Sequence, residues 1–172
     1  MRGETPSEDN VHRRSAILVA LAVVVGGACG GDKSTGPSTT GVGDGNMSAT
    51  INGVAWRSTK SGDRASRSNT FIAVVGLSVG NPVYTVSLGI GGLSGPGTVN
   101  LDLNAGGNGS SAIVSNSTGG WGTAFSGGKG TITVTSLSAT RVVGSFSFDA
   151  PAGSGKATGV LQVRNGKFDV SF

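Results

Sequence analysis

The segment Gly76-Leu77-Ser78-Val79-Gly80 fits G-x-S-x-G, the sharp turn that presents a nucleophilic serine in α/β-hydrolases. Such a serine needs a base to take its proton, normally a histidine. The only histidine is His12, and it lies in an N-terminal stretch that reads as a removable export signal. The motif also falls between two β-like runs with no helix after it, so a strand ending in glycine is the expected role. The carboxylates are equally scattered. Glu4 and Glu8 leave with the signal, which keeps only Asp32, Asp44, Asp63, Asp102, Asp149 and Asp169. A glycosidase needs two carboxyl groups converging across a cleft, and nothing in this spacing brings two together. Asp149, two residues before Pro151, is expected to form a turn.

Metal and phosphate chemistry meet the same shortage. Zinc and related ions want histidine and cysteine ligands, and the one cysteine, Cys29, is expected to carry a lipid. Gly106-Gly107-Asn108-Gly109-Ser110-Ser111 is a single glycine-rich run with serine where a calcium-binding repeat needs aspartate, so it reads as a plain loop. Gly128-Lys129-Gly130 lacks the remainder of a phosphate-binding loop. The expectation is a protein without catalytic residues and without a cofactor.

The N-terminus assigns the compartment. Arg13-Arg14 precedes the apolar run Ala16 to Val25, followed by Gly26-Gly27-Ala28-Cys29. A basic region, a short apolar core and small residues before a cleavage point are the pattern of a secretory signal. The apolar core is shorter than the about 20 residues of a membrane-spanning helix. Cys29 after Gly-Gly-Ala resembles a bacterial lipobox, where the thiol is acylated and becomes the mature N-terminus. Gly26 stands where such motifs usually carry leucine, and plain cleavage after Ala28 is the alternative. Residues 1–28 are thus read as the signal and 29–46 as the lipidated cysteine with a Gly/Ser/Thr tether. Seventeen such tether residues span roughly 20–25 Å. The expected location is the cell envelope, anchored by lipid to the outer membrane.

Removing Arg2, Arg13 and Arg14 together with Glu4, Glu8 and Asp9 leaves the net charge at +4. Arg57, Lys60, Arg64 and Arg67 concentrate that charge in one polar stretch, 57–69, read as a loop able to meet anionic headgroups. No aromatic residue interleaves these charges, so nucleic acid is not an expected partner. Trp121 stands out because glycines flank it on both sides (Gly119, Gly120, Gly122). Burial is its ordinary fate, and stacking on a sugar or peptide is the functional alternative.

The elements that would position these residues are strands. The chain holds 32 glycines and many Val, Thr and Ser, which disfavour helices and suit a pleated surface. Asn52-Gly53 between Ala49, Ile51 and Val54, Trp56 predicts a type I′ hairpin. Phe71–Val79 and Val83–Ile90 read as strands around a Gly80-Asn81-Pro82 turn. Val142, Gly144, Phe146 and Phe148 alternate with Val143, Ser145 and Ser147, and Phe168, Val170 and Phe172 repeat the pattern after Asn165-Gly166, read as a second turn. The prediction is an all-β domain over 47–172, a single antiparallel β-sandwich or small barrel of about nine or ten strands. An integral outer-membrane barrel is disfavoured, because one Tyr and two Trp cannot furnish two aromatic girdles.

Three stretches carry a resemblance. Ala49 to Trp56 reads A-x-I-N-G-x-x-W, and Gly97 to Leu101 reads G-T-x-x-L. The third joins Lys129–Val134, Arg141–Phe148 and Asn165–Val170. Together they resemble an uncharacterised family of bacterial lipoprotein β-domains. The resemblance implies an anchored β-fold and brings no activity with it. Two functions therefore compete: a non-catalytic envelope lipoprotein presenting a tethered β-domain to an envelope polymer or small molecule, and a carrier holding a small apolar ligand inside a barrel.

Overall fold

A computed structural model describes residues 45–102 and 109–172. Cys29, the signal, nearly all of the tether and the first half of the glycine-rich run at 106–111 lie outside the described residues. The described chain is all-β. Its strands are β1 Met47–Ile51, β2 Val54–Arg57, β3 Arg64–Arg67, β4 Phe71–Leu77, β5 Thr85–Gly91 and β6 Gly97–Asn100, then β7 Ser111–Ser115, β8 Gly119–Gly122, β9 Lys129–Leu137, β10 Arg141–Gly155 and β11 Val160–Ser171. They form one antiparallel sheet curled into a half-barrel.

The sheet divides at β10. One side of this strand pairs with β11 from Arg141 to Pro151. The other side pairs first with β9, from Val142 to Asp149, and then with β8, from Ala152 to Gly155. Two arms result: β2-β1-β11-β10-β9-β6 and β10-β8-β7-β5-β4-β3. Pro151 sits where β10 changes partner, a place where a strand can lack an N–H without losing a ladder bond. Asp149 is therefore inside a strand and does not form the expected turn. It instead binds Arg164 and, at 3.9 Å, Lys129.

One core fills the space between the arms. Val142, Phe146, Phe148 and Ala150 point inward from β10, facing Ile72, Val74, Val86, Leu88 and Ile90 of the other arm within a single buried cluster. Phe146 stacks with Phe148 at 6.0 Å and with Phe168 at 6.3 Å between ring centroids. Two cross-strand pairs seat these rings on glycines: Phe146 opposite Gly166, and Phe168 opposite Gly144. A Cβ on Gly166 would lie 2.4 Å from the Phe146 ring, so only glycine fits beneath it.

Asn52-Gly53 makes the expected hairpin, with φ of 47° and 83°, both positive as a type I′ turn requires. Asn165-Gly166 does not turn. Both residues lie within β11, where one extra residue is inserted against both neighbours: Ser48 and Thr50 of β1 face Lys167 and Arg164, while Phe146 and Phe148 of β10 face Gly166 and Val163. The result is a β-bulge with Asn165 at φ 53°. It shifts the inward phase by one residue, from Leu161 and Val163 to Gly166, Phe168 and Val170. Phe172, expected inside, is 37% exposed beyond the end of the strand. The stretch 57–69, expected to be a loop, contains β3 and a single 3₁₀ turn at Lys60–Gly62.

Candidate functional site

Ser78 follows the last residue of β4 and is almost wholly buried. Its Oγ accepts the Tyr84 N–H at 3.0 Å and donates to the Tyr84 carbonyl at 3.2 Å, while its own N–H reaches the same carbonyl. Both capacities of the hydroxyl are thus committed to closing the 78–84 connection, which contains a cis Asn81–Pro82 bond. The G-x-S-x-G stretch here is a brace for a turn.

Two of the four described aspartates, Asp149 and Asp169, lie on the β10–β11 seam and stand well apart there. Asp149 and Asp169 face Gln162 and Val143 across the β10–β11 ladder, which separates them by six residues along β10, roughly 20 Å. That exceeds the about 5–9.5 Å of glycosidase pairs. Asp169 receives two bonds of 2.5 Å from the Arg141 guanidinium, which hold its carboxyl below the usual range. Among the described residues, no group of three His, Cys, Asp or Glu side chains gathers to hold a metal ion.

A cleft of about 260 Å³ opens between the β1–β2 hairpin and the 78–84 connection. Ile51, Val54, Trp56, Val79, Pro82 and Tyr84 supply much of its lining, with the amides of Asn52 and Asn81, and no lining residue is charged. Val54 and Val79 are 70% and 54% exposed, unusual for valines beside a strand pair. Trp56 is buried, and its indole Nε1 has no hydrogen-bond partner among the described residues. An indole N–H left without an acceptor costs about 1–3 kcal/mol. Apolar walls with a few polar groups are the ordinary character of a small-molecule site.

Trp121, the tryptophan singled out in the sequence, is half-buried against the core, and its Nε1 donates to the Thr158 carbonyl at 3.1 Å. Trp56 carried no comparable signal, because the cleft joins two segments more than twenty residues apart. The four basic residues are also divided by the fold. Arg57, Lys60 and Arg64 surround the point where residue 45 joins the domain: Gly45 donates to the Ser58 carbonyl at 2.7 Å, and Asn46 donates to Asp63 Oδ2 at 2.5 Å. Arg67 lies three residues beyond Arg64 along β3 and so faces the other side of the strand. It donates to the Ser138 carbonyl in the β9–β10 turn. No helix of the described residues is long and apolar enough to cross a membrane. Comparison with protein-family models, curated proteins and solved structures found no match for this chain.

Proposed function

We propose that this chain is a non-catalytic envelope lipoprotein, held by an acylated Cys29, whose β-domain works by binding an uncharged ligand in the Trp56 cleft. The observation that carries the binding role is the pairing of an uncharged, largely apolar lining with a buried indole donor that the protein itself leaves unsatisfied. A ligand presenting an apolar face matches that lining. Reaction chemistry finds no support in the same place, since the one hydroxyl of a nucleophile motif is committed to Tyr84. Export and anchoring rest on the signal pattern, the Gly-Gly-Ala-Cys run and the resemblance to lipoprotein β-domains.

The small-ligand carrier is the second reading, and the cleft's apolar walls favour it. A ligand would then sit in the cleft, since large side chains such as Phe148, Leu88 and Ile132 occupy the space between the arms. Titration followed through the two indole N–H resonances tests binding. Uncharged saccharides and short alcohols serve as probes, and Trp121 serves as the internal control because Thr158 already holds its N–H. A shift of the Trp56 resonance alone is the expected result. Failure of every probe to move it, or labelling of Ser78 by a fluorophosphonate, would contradict the proposal.

A further inference from the structure

We infer that the end of the domain where residue 45 joins it is a docking face for an anionic lipid surface, with Arg57, Lys60 and Arg64 supplying charge and Leu77 an apolar contact. The inference rests on the envelope-lipoprotein reading and is tested separately from it.

The three cations are exposed and surround one point of the fold. Arg57 Nη1 lies 3.5 Å from the Gly45 carbonyl, and Arg64 Nη1 donates to the carbonyls of Ser61 at 2.8 Å and Asp63 at 3.0 Å. Carbonyl acceptors orient a guanidinium without neutralising it. Cations along β9–β11 include three with carboxylate partners: Lys129 and Arg164 pair with Asp149, and Arg141 pairs with Asp169. Arg57 and Arg64 thus differ from these in resting on carbonyls, and with Lys60 they outnumber Asp63, the carboxylate of the same stretch, where the chain arrives from Cys29. Leu77 is 41% exposed beside the same 3₁₀ turn; its carbonyl accepts the Thr59 N–H at 2.9 Å, and a Cβ on Gly62 would stand 2.9 Å from its own Cβ. Basic side chains around an exposed apolar residue suit the headgroup boundary of a bilayer.

The place where the chain arrives selects this face. Residues 30–44 link Cys29 to Gly45 and are rich in Gly, Ser and Thr. A chain of that composition reaches on the order of 20 Å. An acyl chain on Cys29 would hold this end of the domain against the bilayer, where even weak contacts become effectively intramolecular. Arg67, turned to the other side of β3 and engaged with Ser138, is outside the face.

The test uses the chain from residue 29 onward carrying Cys29→Ala, which keeps every core residue from Met47 to Val170 and carries no lipid. Co-sedimentation is measured with vesicles of phosphatidylglycerol and phosphatidylcholine and with phosphatidylcholine alone. Each basic residue near an anionic surface strengthens binding about fivefold. Replacing Arg57, Lys60 and Arg64 together by Ser should therefore weaken binding to the anionic vesicles by about a hundredfold, with an unchanged melting curve. Arg67→Ser should leave binding unaltered, and added salt should weaken the parent. Absence of binding to anionic vesicles would overturn the inference, as would equal binding to phosphatidylcholine alone. So would a triple variant that binds like the parent, or an Arg67→Ser loss as large as the triple. Palmitate incorporation at Cys29 reads the anchoring by itself, so either idea can fail without the other.

Discussion

The β10–β11 seam and the cleft end of the domain obey opposite rules. At the seam, Phe146, Phe148 and Phe168 are buried and stacked, each partner glycine is covered, and Arg141 and Arg164 are matched by Asp169 and Asp149. At the cleft, two valines are largely exposed, a buried indole donor lacks an acceptor, and nearby arginines rest on neutral carbonyls. Local consistency marks the part of a protein that specifies its fold, and departures from it concentrate where something is to be bound. The seam holds the domain together, and the cleft end meets the environment.

Substitutions should reveal this contrast in graded steps. Phe168→Ala should have the largest effect, a loss of about 3–5 kcal/mol in chemical unfolding, because it empties a fully buried ring position between Gly144 and Phe146. Gly166→Ala comes next, at about 1–3 kcal/mol, since the added methyl must displace the Phe146 ring. Trp56→Phe should leave stability within about 1 kcal/mol of the parent. The lost ring volume is offset by removal of an unsatisfied donor. A loss at Trp56 as large as that at Phe168 would erase the distinction between the two regions.

The smallest effect is expected at the exposed Arg141–Asp169 pair. Arg141 holds the Asp169 carboxyl below its ordinary range, so its contribution is present above the ordinary carboxylate pKa. It is lost as pH falls through the lowered folded-state value. Arg141→Ala should accordingly reduce melting temperature slightly at neutral pH and not at all in strong acid. Melting curves recorded from pH 7 down to 2 would reveal the convergence, and a constant difference across that range would argue against it.

The two Asn-Gly dipeptides explain what could be read from the sequence and what could not. Both can take positive φ, and at Asn52 the chain reverses as expected. At Asn165 the same pair stays inside a strand, because β1 and β10 hold β11 extended from both sides and Phe146 covers Gly166. Local sequence carries the conformational permission, and the neighbours decide its use. Alternation along Val142–Phe148 was legible because one face is buried and the other is not. β3 was not, since its residues Arg64-Ala65-Ser66-Arg67 show no apolar alternation and its backbone bonds come from β4. The cleft was illegible for a third reason. Its lining is assembled from residues 51–56 and 78–84, and neither stretch alone distinguishes Trp56 from an ordinary core tryptophan.

Acylation of Cys29 is what would bring the cleft end of the domain to a membrane, and one measurement bears on it most directly. Cells expressing the full chain would be grown with radiolabelled palmitate beside cells expressing Cys29→Ala, and the purified proteins compared. Label in the parent, recovered with the membrane fraction, and none in the variant is the predicted result. Equal labelling of both chains, or a parent without label in the soluble fraction, would contradict the account.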